Sequence, residues 1–429
     1  MFVIGEDTML RSMSEYKYHS GIRLRIYPSY RQKKIIKKNA ETARFIYNEM
    51  IACSKEIAGF GKLAIYIQGI TERIQVLRER IKSVTSLKSH FLWMDDVDLD
   101  ANMIANAKKN YAHAWKCYRC GEVKNPPAFH RRTYALSYQT NPHYNRQRVL
   151  EAGLTNGSAG FRDTSHVFVP KLGLIRYKGS RKILARIFSM RSVRIGTMTV
   201  TRDACGDYFL SMQLASDESF AASIPKAVSV VGIDLNIKNL YVDSNGCRVD
   251  RPGFLQKVKK RLTHAQRILS RRARGCKQRR IPFCNGVRYQ RQRRIVAKLK
   301  RQIKRQREDF MHVQSMGLIK NHEIIVAEQL DIRKLVRLCR CAREIYEMGW
   351  RTFLDLLEYK AKRHGRVFLK VNPAYTTQRC SACGYTLPIG QRLHLFDRQW
   401  QCPSCHVIHD RDRNAACNIL YRGLAVLAK

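Results

Sequence analysis

Tyr375–Leu420 reads YTTQRCSACGYTLPIGQRLHLFDRQWQCPSCHVIHDRDRNAACNIL, and its reading decides the fold of the whole chain. Two Cys-x-x-Cys pairs, Cys380/Cys383 and Cys402/Cys405, stand 18 residues apart. Four thiolates at this spacing match a tetrahedral Zn²⁺ in a structural four-cysteine ribbon. Gly384 and Pro403 suit the tight knuckle each pair needs, whereas four unrelated cysteines would not require it. A closed shell of four cysteines has no open coordination position, so such a metal holds shape and does no chemistry. The chemistry is expected just beyond, at His409-Asp-Arg-Asp-Arg-Asn-Ala-Ala416, where an acidic pair opens a helix with Ala416, Ile419, Leu420 and Leu424 on its apolar side. Taken alone, an Asp there could equally be an N-cap.

Working outward, composition narrows the partner. Across 429 residues, 80 Lys+Arg oppose 34 Asp+Glu, a formal net charge of +46. Self-repulsion on that scale calls for a polyanion, so nucleic acid is the expected partner. No long apolar run or secretory signal argues for a membrane. Residues 1–20 read as a flexible tail. The 14 cysteines form no regular disulfide framework, which points to a prokaryotic-type cytoplasm and the nucleoid.

Upstream, Ile22-Arg-Leu-Arg-Ile26 alternates as a strand, and Ser29 can cap a helix carrying Ile35, Ile36, Ala43, Ile46 and Met50. Further basic helices are expected over about 64–87 and from Asp98 to Tyr118. Cys117-Tyr-Arg-Cys120 resembles half a metal knuckle with His130 as the one nearby ligand, but two ordinary thiols explain it as well. From Asn125 to Ala222 the pattern turns to short strands, with a hairpin around Asp203–Gly206. A compact β-barrel built from Ile22–Tyr27 and this stretch, with the helices inserted, accounts for both.

Val228–Leu235 is apolar nearly throughout, the mark of a strand buried on both faces, yet it carries Asp234 near its end. That Asp either caps the following turn or is paired or bound to metal. Leu240–Val242 is its hairpin partner. Arg251–Arg307 is the most basic stretch. It reads as an antiparallel helical hairpin broken from Gly275 to Gly286, with Leu255, Val258, Leu262, Ala265 and Leu269 facing Ile295, Leu299 and Ile303. Glu323–Leu330 is a second buried strand, with Glu328 near its end. A helix over Trp350–Arg363 and a strand over Arg366–Val371 lead back to the ribbon. Strand–hairpin, strand, strand, helix is the element order of an RNase H-like α/β core. Asp234, Glu328 and Asp412 converging there would hold two Mg²⁺ about 4 Å apart for phosphodiester hydrolysis.

With these residues in view, the chain from about Gly21 onward resembles the TnpB (OrfB) family of transposon-encoded RNA-guided DNA endonucleases, which are related to compact type V CRISPR effectors. The resemblance rests on YPSYRQKKIIKKNAETARFIYNEM, VFVPKLGLIRYK, GIDLNIKNLYVDSNG, IIVAEQLDI, LEYKAKRHG and the ribbon running into HDRDRNAACNIL. It implies a multidomain α+β chain with a RuvC core over 225–377, a basic hairpin over 251–320 within it, and a C-terminal helix at 408–429. The zinc ribbon at 378–407 is inserted into that core. A wedge β-barrel comprises 21–30 and 125–224, interrupted by a helical recognition block at 31–124. The family's triad falls on Asp234, Glu328 and Asp412, with Asp410 as a competitor for the third position. The resemblance also implies a guide RNA and a double-stranded DNA target with a short flanking motif; one protein copy per guide RNA is favoured, with two copies as the alternative. Cationic contacts are expected at Arg31, Lys34, Lys38, Arg44, Lys259, Lys260, Arg261, Arg271, Arg272, Arg293, Lys298 and Arg301. Two residues depart from the family pattern: Asn236 and His406 each stand where Gly is usual. The rival readings are an RNA-guided repressor with an idle nuclease core, an autonomous transposase, and a zinc-ribbon DNA-binding factor, which would leave the buried acids unexplained.

Overall fold

The computed structural model describes residues 12–61, 68–142, 158–190, 193–250, 253–332, 335, 337, 342–394 and 396–428. The chain forms two compact units, Met1–Phe220 and Ala221–Lys429.

The first unit is a seven-stranded antiparallel sheet with helices. Its strands are β1 (Tyr18–Tyr27), β2 (Leu136–Thr140), β3 (Gly160–Phe161), β4 (His166–Val169), β5 (Gly173–Lys178), β6 (Arg194–Arg202) and β7 (Tyr208–Ser216), in the order β2-β6-β7-β1-β5-β4-β3. β1 begins inside the segment expected to be a tail, because Tyr18–Ser20 already pair with Leu214–Ser216. Its alternation buries Ile22, Leu24 and Ile26 in the core that also holds Ile35, Ile36, Ile46 and Met50 of α1 (Tyr30–Phe60). Ser29 caps α1 in a reciprocal box. The Gln32 amide donates to Ser29 Oγ (3.3 Å) and the Ser29 amide to Gln32 Oε1 (2.8 Å). The single helix expected over 64–87 is in fact two, α2 (Gln68–Lys82) and α3 (Val84–His90). Ser83 separates them because its Oγ accepts from the Ser86 amide (3.1 Å) and caps a new helix. Then come α4 (Ala101–Arg119), capped by Asp100, and α5 (Arg181–Ser189) between β5 and β6.

The second unit is built on a five-stranded mixed sheet, ordered β10-β9-β8-β11-β12: β8 (Ser229–Asp234), β9 (Asn239–Asp243), β10 (Arg248–Asp250), β11 (His322–Glu328) and β12 (Val367–Val371). β8, β11 and β12 run parallel, and β9 and β10 fold back antiparallel. Between β10 and β11, α6 (Phe254–Gln278) and α7 (Val287–Asn321) form the basic hairpin. α6 runs past the expected break at Gly275, and the turn falls over 279–286. The seam differs by one position on α7: Val296, Leu299 and Ile303 face Val258, Leu262, Ala265 and Leu269, while Ile295 is 47% exposed. Gln292 holds that phase by donating Nε2 to the Ala265 carbonyl (3.0 Å). α8 (Ala342–Met348) and α9 (Trp350–His364) follow, α9 ending at Gly365 in the left-handed conformation (φ 66°). A small ribbon with β13 (Gln399–Gln401) paired to β14 (Ile408–Asp410) precedes α10 (Arg411–Leu427). Among the described residues, no helix is long and apolar enough to cross a membrane.

Candidate functional site

Parallel pairing aligns Ile233 of β8 with Ala327 of β11, so the next residues, Asp234 and Glu328, stand side by side at the strand ends. α10 lies over the same face. A Cβ built on Gly232 would sit 2.2 Å from the Ala416 carbonyl oxygen, so the helix backbone rests directly on that glycine. Two strand residues onward from Gly232 advance about 6.6 Å to Asp234, and four helix residues back from Ala416 advance about 6 Å to Asp412. Asp412, on the first turn of that helix, lies close enough for its charge to act on Asp234. Asp234, Glu328 and Asp412 are 8%, 6% and 6% exposed.

Their charges feel one another. Burial, then Glu328 and Asp412, push the Asp234 carboxyl well above the usual carboxylate range, with Arg411 opposing. Burial raises Glu328 from its ordinary 4.5 to about 7, partly offset by the Leu235 amide donating to Oε1 (3.0 Å). Asp412 is fully solvated by protein donors. Its Oδ1 accepts from Arg411 Nε (3.2 Å) and Nη2 (3.1 Å), and its Oδ2 from Asn236 Nδ2 (2.7 Å) and Arg398 Nη1 (2.9 Å). Asn236, one of the two departures from the family pattern, therefore supplies a donor that Gly could not. Its Oδ1 accepts from the Lys238 amide (3.0 Å) and fixes the turn after β8. Asp410 has other duties. Its Oδ1 caps α10 at the Arg413 amide (3.0 Å) and its Oδ2 takes Arg248 Nη2 (2.5 Å).

The four cysteines offer Sγ atoms all within 4.8 Å of one another, with Cys380–Cys405 and Cys383–Cys402 each at 3.6 Å. A tetrahedron with metal–sulfur bonds of about 2.3 Å has edges of about 3.8 Å, so the set fits zinc. The two knuckles are alike: Gly384 and His406 donate their amides to the Cys380 and Cys402 carbonyls (3.0 and 2.9 Å). Both adopt left-handed φ, 80° and 59°. That backbone explains why Gly suits these positions, and His406 occupies one at a conformational cost. The Tyr385 amide lowers the Cys383 thiol to about 7. Among the described residues no other group of three or more His, Cys, Asp or Glu closes this tightly, so the three acids are spread more widely than the cysteines. Cys117 and Cys120 do not build a second centre there. The His130 ring stacks on Tyr47 (3.9 Å), and Cys117 Sγ meets His113 Nε2 (3.5 Å) instead.

The cationic residues divide. Arg31, Lys34, Lys259, Lys260, Arg261, Arg271 and Lys298 are exposed, and Lys38, Arg44, Arg272 and Arg301 partly so. Lys38 is tied to Asp96 and Asp98, and Arg272 donates Nη1 to the Arg288 carbonyl (2.7 Å). Arg293, expected on the contact surface, is buried at 9% exposure, with Nε on Gln290 Oε1 (3.1 Å). The same helical phase that moved the seam to Val296 turns Arg293 inward and leaves Arg291 and Arg294 exposed. Sequence reading also missed Arg398, Asn414 and Asn418, whose partners lie 14 or more residues off in the chain, and Arg411, which holds the adjacent Asp412 and the His394 carbonyl. The one local signal was the i, i+4 spacing of the two asparagines.

Family models match three stretches. A helix-turn-helix domain of the OrfB/IS605 type matches 18–58, the OrfB/IS605 transposase model matches 214–338, and the Cas12f1-like TNB domain matches 350–419. The first match covers β1 and the single helix α1 here. A protein of Streptomyces pristinaespiralis, provisionally named an RNA-guided DNA endonuclease, is 34% identical over 233 residues, 54% of each chain. InsQ of Escherichia coli, provisionally named likewise, is 30% identical over 282 residues, 62% of this chain and 64% of that one. The chain thus spans between half and two-thirds of the length of these curated relatives. A cryo-EM structure of a Cas12f1–sgRNA–target DNA complex shares the fold, with a TM-score of 0.55 and 14% identity over 94% of this chain and 98% of that one. Matched at its N-terminal segment, across the sheet that carries Asp234 and Glu328, and through the ribbon into α10, the chain is similar in sequence to proteins of the OrfB/IS605 type and shares its fold with the Cas12f1 of that complex.

Proposed function

We propose that this protein is a Mg²⁺-dependent, RNA-guided DNA endonuclease whose RuvC-type site is formed by Asp234, Glu328 and Asp412. The observation that carries the reading is the carboxylate trio itself. Two strand ends and a helix start bring three buried acids onto one face, where Glu328 and Asp412 make ionisation of Asp234 harder. Burying such a group costs several kcal/mol with no structural return, unless cations come to share it. Two Mg²⁺ bound there would activate a water and stabilise the leaving 3′ oxygen of a phosphodiester. The chain's own part is to hold the acids: Leu235 N–H orients Glu328, and Arg398, Arg411 and Asn236 orient Asp412.

On this reading 225–377 and 408–429 form an RNase H-like core, with the four-cysteine zinc ribbon at 378–407 inserted. The N-terminal sheet, with 21–30 and 125–224, acts as a wedge barrel around the recognition helices of 31–124. Guide RNA and target DNA are the polyanions that match the +46 charge. The exposed Lys259, Lys260, Arg261, Arg271 and Lys298 suit backbone contact, with sequence read by base pairing. The relatives named for RNA-guided endonuclease activity support the same reading. One active site implies that the two strands are cut in turn.

The test is to purify the protein from cells co-expressing the flanking DNA, sequence any bound RNA, and challenge a matched plasmid library with and without Mg²⁺. A defined RNA with metal-dependent linearisation beside one shared motif is expected, and Asp234→Ala should abolish cutting while RNA stays bound. A defined RNA with binding but no cutting would make it a repressor. Action on transposon ends without RNA would make it a transposase.

A further inference from the structure

α10 is gripped from both sides. Asp412 and Ala416 face the sheet, while Asn414 and Asn418 lie about 200° and about 240° around the helix from Asp412 and face the first cysteine knuckle. Asn414 Oδ1 accepts from the Ser381 amide (2.8 Å) and its Nδ2 donates to the Arg379 carbonyl (2.7 Å). Asn418 Nδ2 donates to that same carbonyl (2.7 Å) and to the Thr376 carbonyl (2.9 Å). Both asparagines are buried, so these bonds have no competition from water. The backbone they hold brackets Cys380. One residue before the turn into the helix, His409 Nε2 lies 3.0 Å from Cys380 Sγ. A metal-bound thiolate can only accept, so His409 donates to it.

The ribbon reaches the acids by a second route. Arg411 anchors Nη1 on the His394 carbonyl (2.8 Å) while its Nε and Nη2 hold Asp412. Arg398, two residues before Trp400, reaches Asp412 Oδ2 directly. Among the described residues, the ribbon's apolar core is Leu387, Trp400 and Leu393 around the cysteines. A core that small does not fold unaided, so metal at the cysteines supplies the ribbon's folding energy.

We infer that Asn414 and Asn418 are positioning residues that couple the four-cysteine centre to the carboxylate site, so that cation binding at each site strengthens binding at the other. This rests on the reading of the acids as a metal site, and the test separates the two. By linkage the coupling is reciprocal, so it can be read at the zinc end. The zinc affinity of the full-length protein is measured by equilibrium competition with a dye that ignores Mg²⁺, with and without Mg²⁺. Mn²⁺ binding to the same preparation is followed by electron paramagnetic resonance. Mg²⁺ should tighten zinc binding by at least about fivefold in the parent protein, the usual lower range for coupled sites. The ratio should fall toward one in Asn418→Ala and in Asn414→Ala, and zinc-stripped protein should bind Mn²⁺ more weakly by the same factor. Cobalt in place of zinc reports, by its sulfur charge-transfer bands, that the variants keep all four thiolates on the metal. Mn²⁺ binding with zinc affinity indifferent to Mg²⁺ in the parent protein overturns the coupling and leaves the nuclease reading standing. No Mn²⁺ binding at all overturns the carboxylate site. A full Mg²⁺ effect retained in both asparagine variants removes their positioning role.

Discussion

Gly232→Ala should unseat the third acid. The added Cβ would stand 2.2 Å from the Ala416 carbonyl oxygen, and 2.8 Å from both the Leu420 Cβ and its amide nitrogen. Carbon–oxygen contacts ordinarily begin near about 3.3 Å, so strand and helix must part by about 1 Å. No flexible side-chain end is there to yield, because two of the three obstructing atoms are helix backbone. Overpacking of this kind costs about 3 kcal/mol. For a unit the size of Ala221–Lys429 that lowers the midpoint of thermal unfolding by roughly 6–12 °C. Since Asp412 rides on the displaced helix, a shift of about 1 Å should also reduce cleavage on the order of a hundredfold. Gly317→Ala is the matched control. That glycine lies inside α7 with nothing within 4 Å of a built Cβ, so Ala should raise stability by about 0.5–1 kcal/mol. Thermal melts of both variants, with cleavage assays alongside, decide it. An unchanged melt for Gly232→Ala, or shifts of the same sign in the two variants, would refute the account of how α10 seats on β8.

Three further outcomes are expected. Asp410→Asn should melt and cut nearly as the parent does, since Asn caps a helix as well as Asp, whereas Asp412→Asn should lose cutting; the reverse pattern in a plasmid assay would exchange their roles. Glu328 keeps its proton in the folded state up to about pH 7 but only to about 4.5 when unfolded, so its contribution to stability is complete below 4.5 and is lost as pH rises through 7, by at most about 3 kcal/mol. Glu328→Gln should therefore stabilise the metal-free protein at pH 8 and not at pH 4, while Mg²⁺ should stabilise only the parent; melts across pH that show no such crossover contradict the assignment. His406→Gly should release zinc no faster than the parent and gain up to about 1 kcal/mol, because the left-handed backbone at φ 59° no longer opposes a Cβ; faster release would mean that the imidazole itself supports the knuckle.

How much was legible in the sequence followed the range of each signal. The cysteine pairs, the buried strands ending in Asp234 and Glu328, and the Ser29 cap are local patterns, set by spacing within a few residues. The sequence favours Asp412 over Asp410 by its spacing to Asn414-Ala-Ala, and the structure gives Asp410 the Arg248 and Arg413 contacts while burying Asp412 within electrostatic reach of Asp234. The hairpin's phase failed for a different reason. Over 287–321 cations appear on every side of the helix, so apolar Ile295 and Val296 compete for one seam. The Gln292 bond to Ala265, 27 residues distant, decides between them. Arg293 was misassigned by the same one-position error. Asn236 and Arg398 were invisible as partners of Asp412, since they lie 176 and 14 residues away with irregular backbone between.

The density of function in residues 409–423 has a geometric cause. At about 100° per residue, Asp412, Ala416, Ile419 and Gly423 fall on one stripe of α10, and Asn414 and Asn418 on the opposite one. The first stripe must let backbone approach backbone. The Ala416 backbone rests on Gly232, and a Cβ on Gly423 would come within 2.4 Å of the Val326 side chain, so Gly232 and Gly423 leave no room for a larger residue. The second stripe must satisfy knuckle carbonyls and an amide that water cannot reach, and a short side-chain amide serves both as donor and as acceptor. Neither stripe can give way without moving the other. A substitution on the asparagine side should consequently register at the acids, and one on the sheet side should register at the cysteines. A helix whose first turn also carries the cap and the third acid has little surface left that is free to vary.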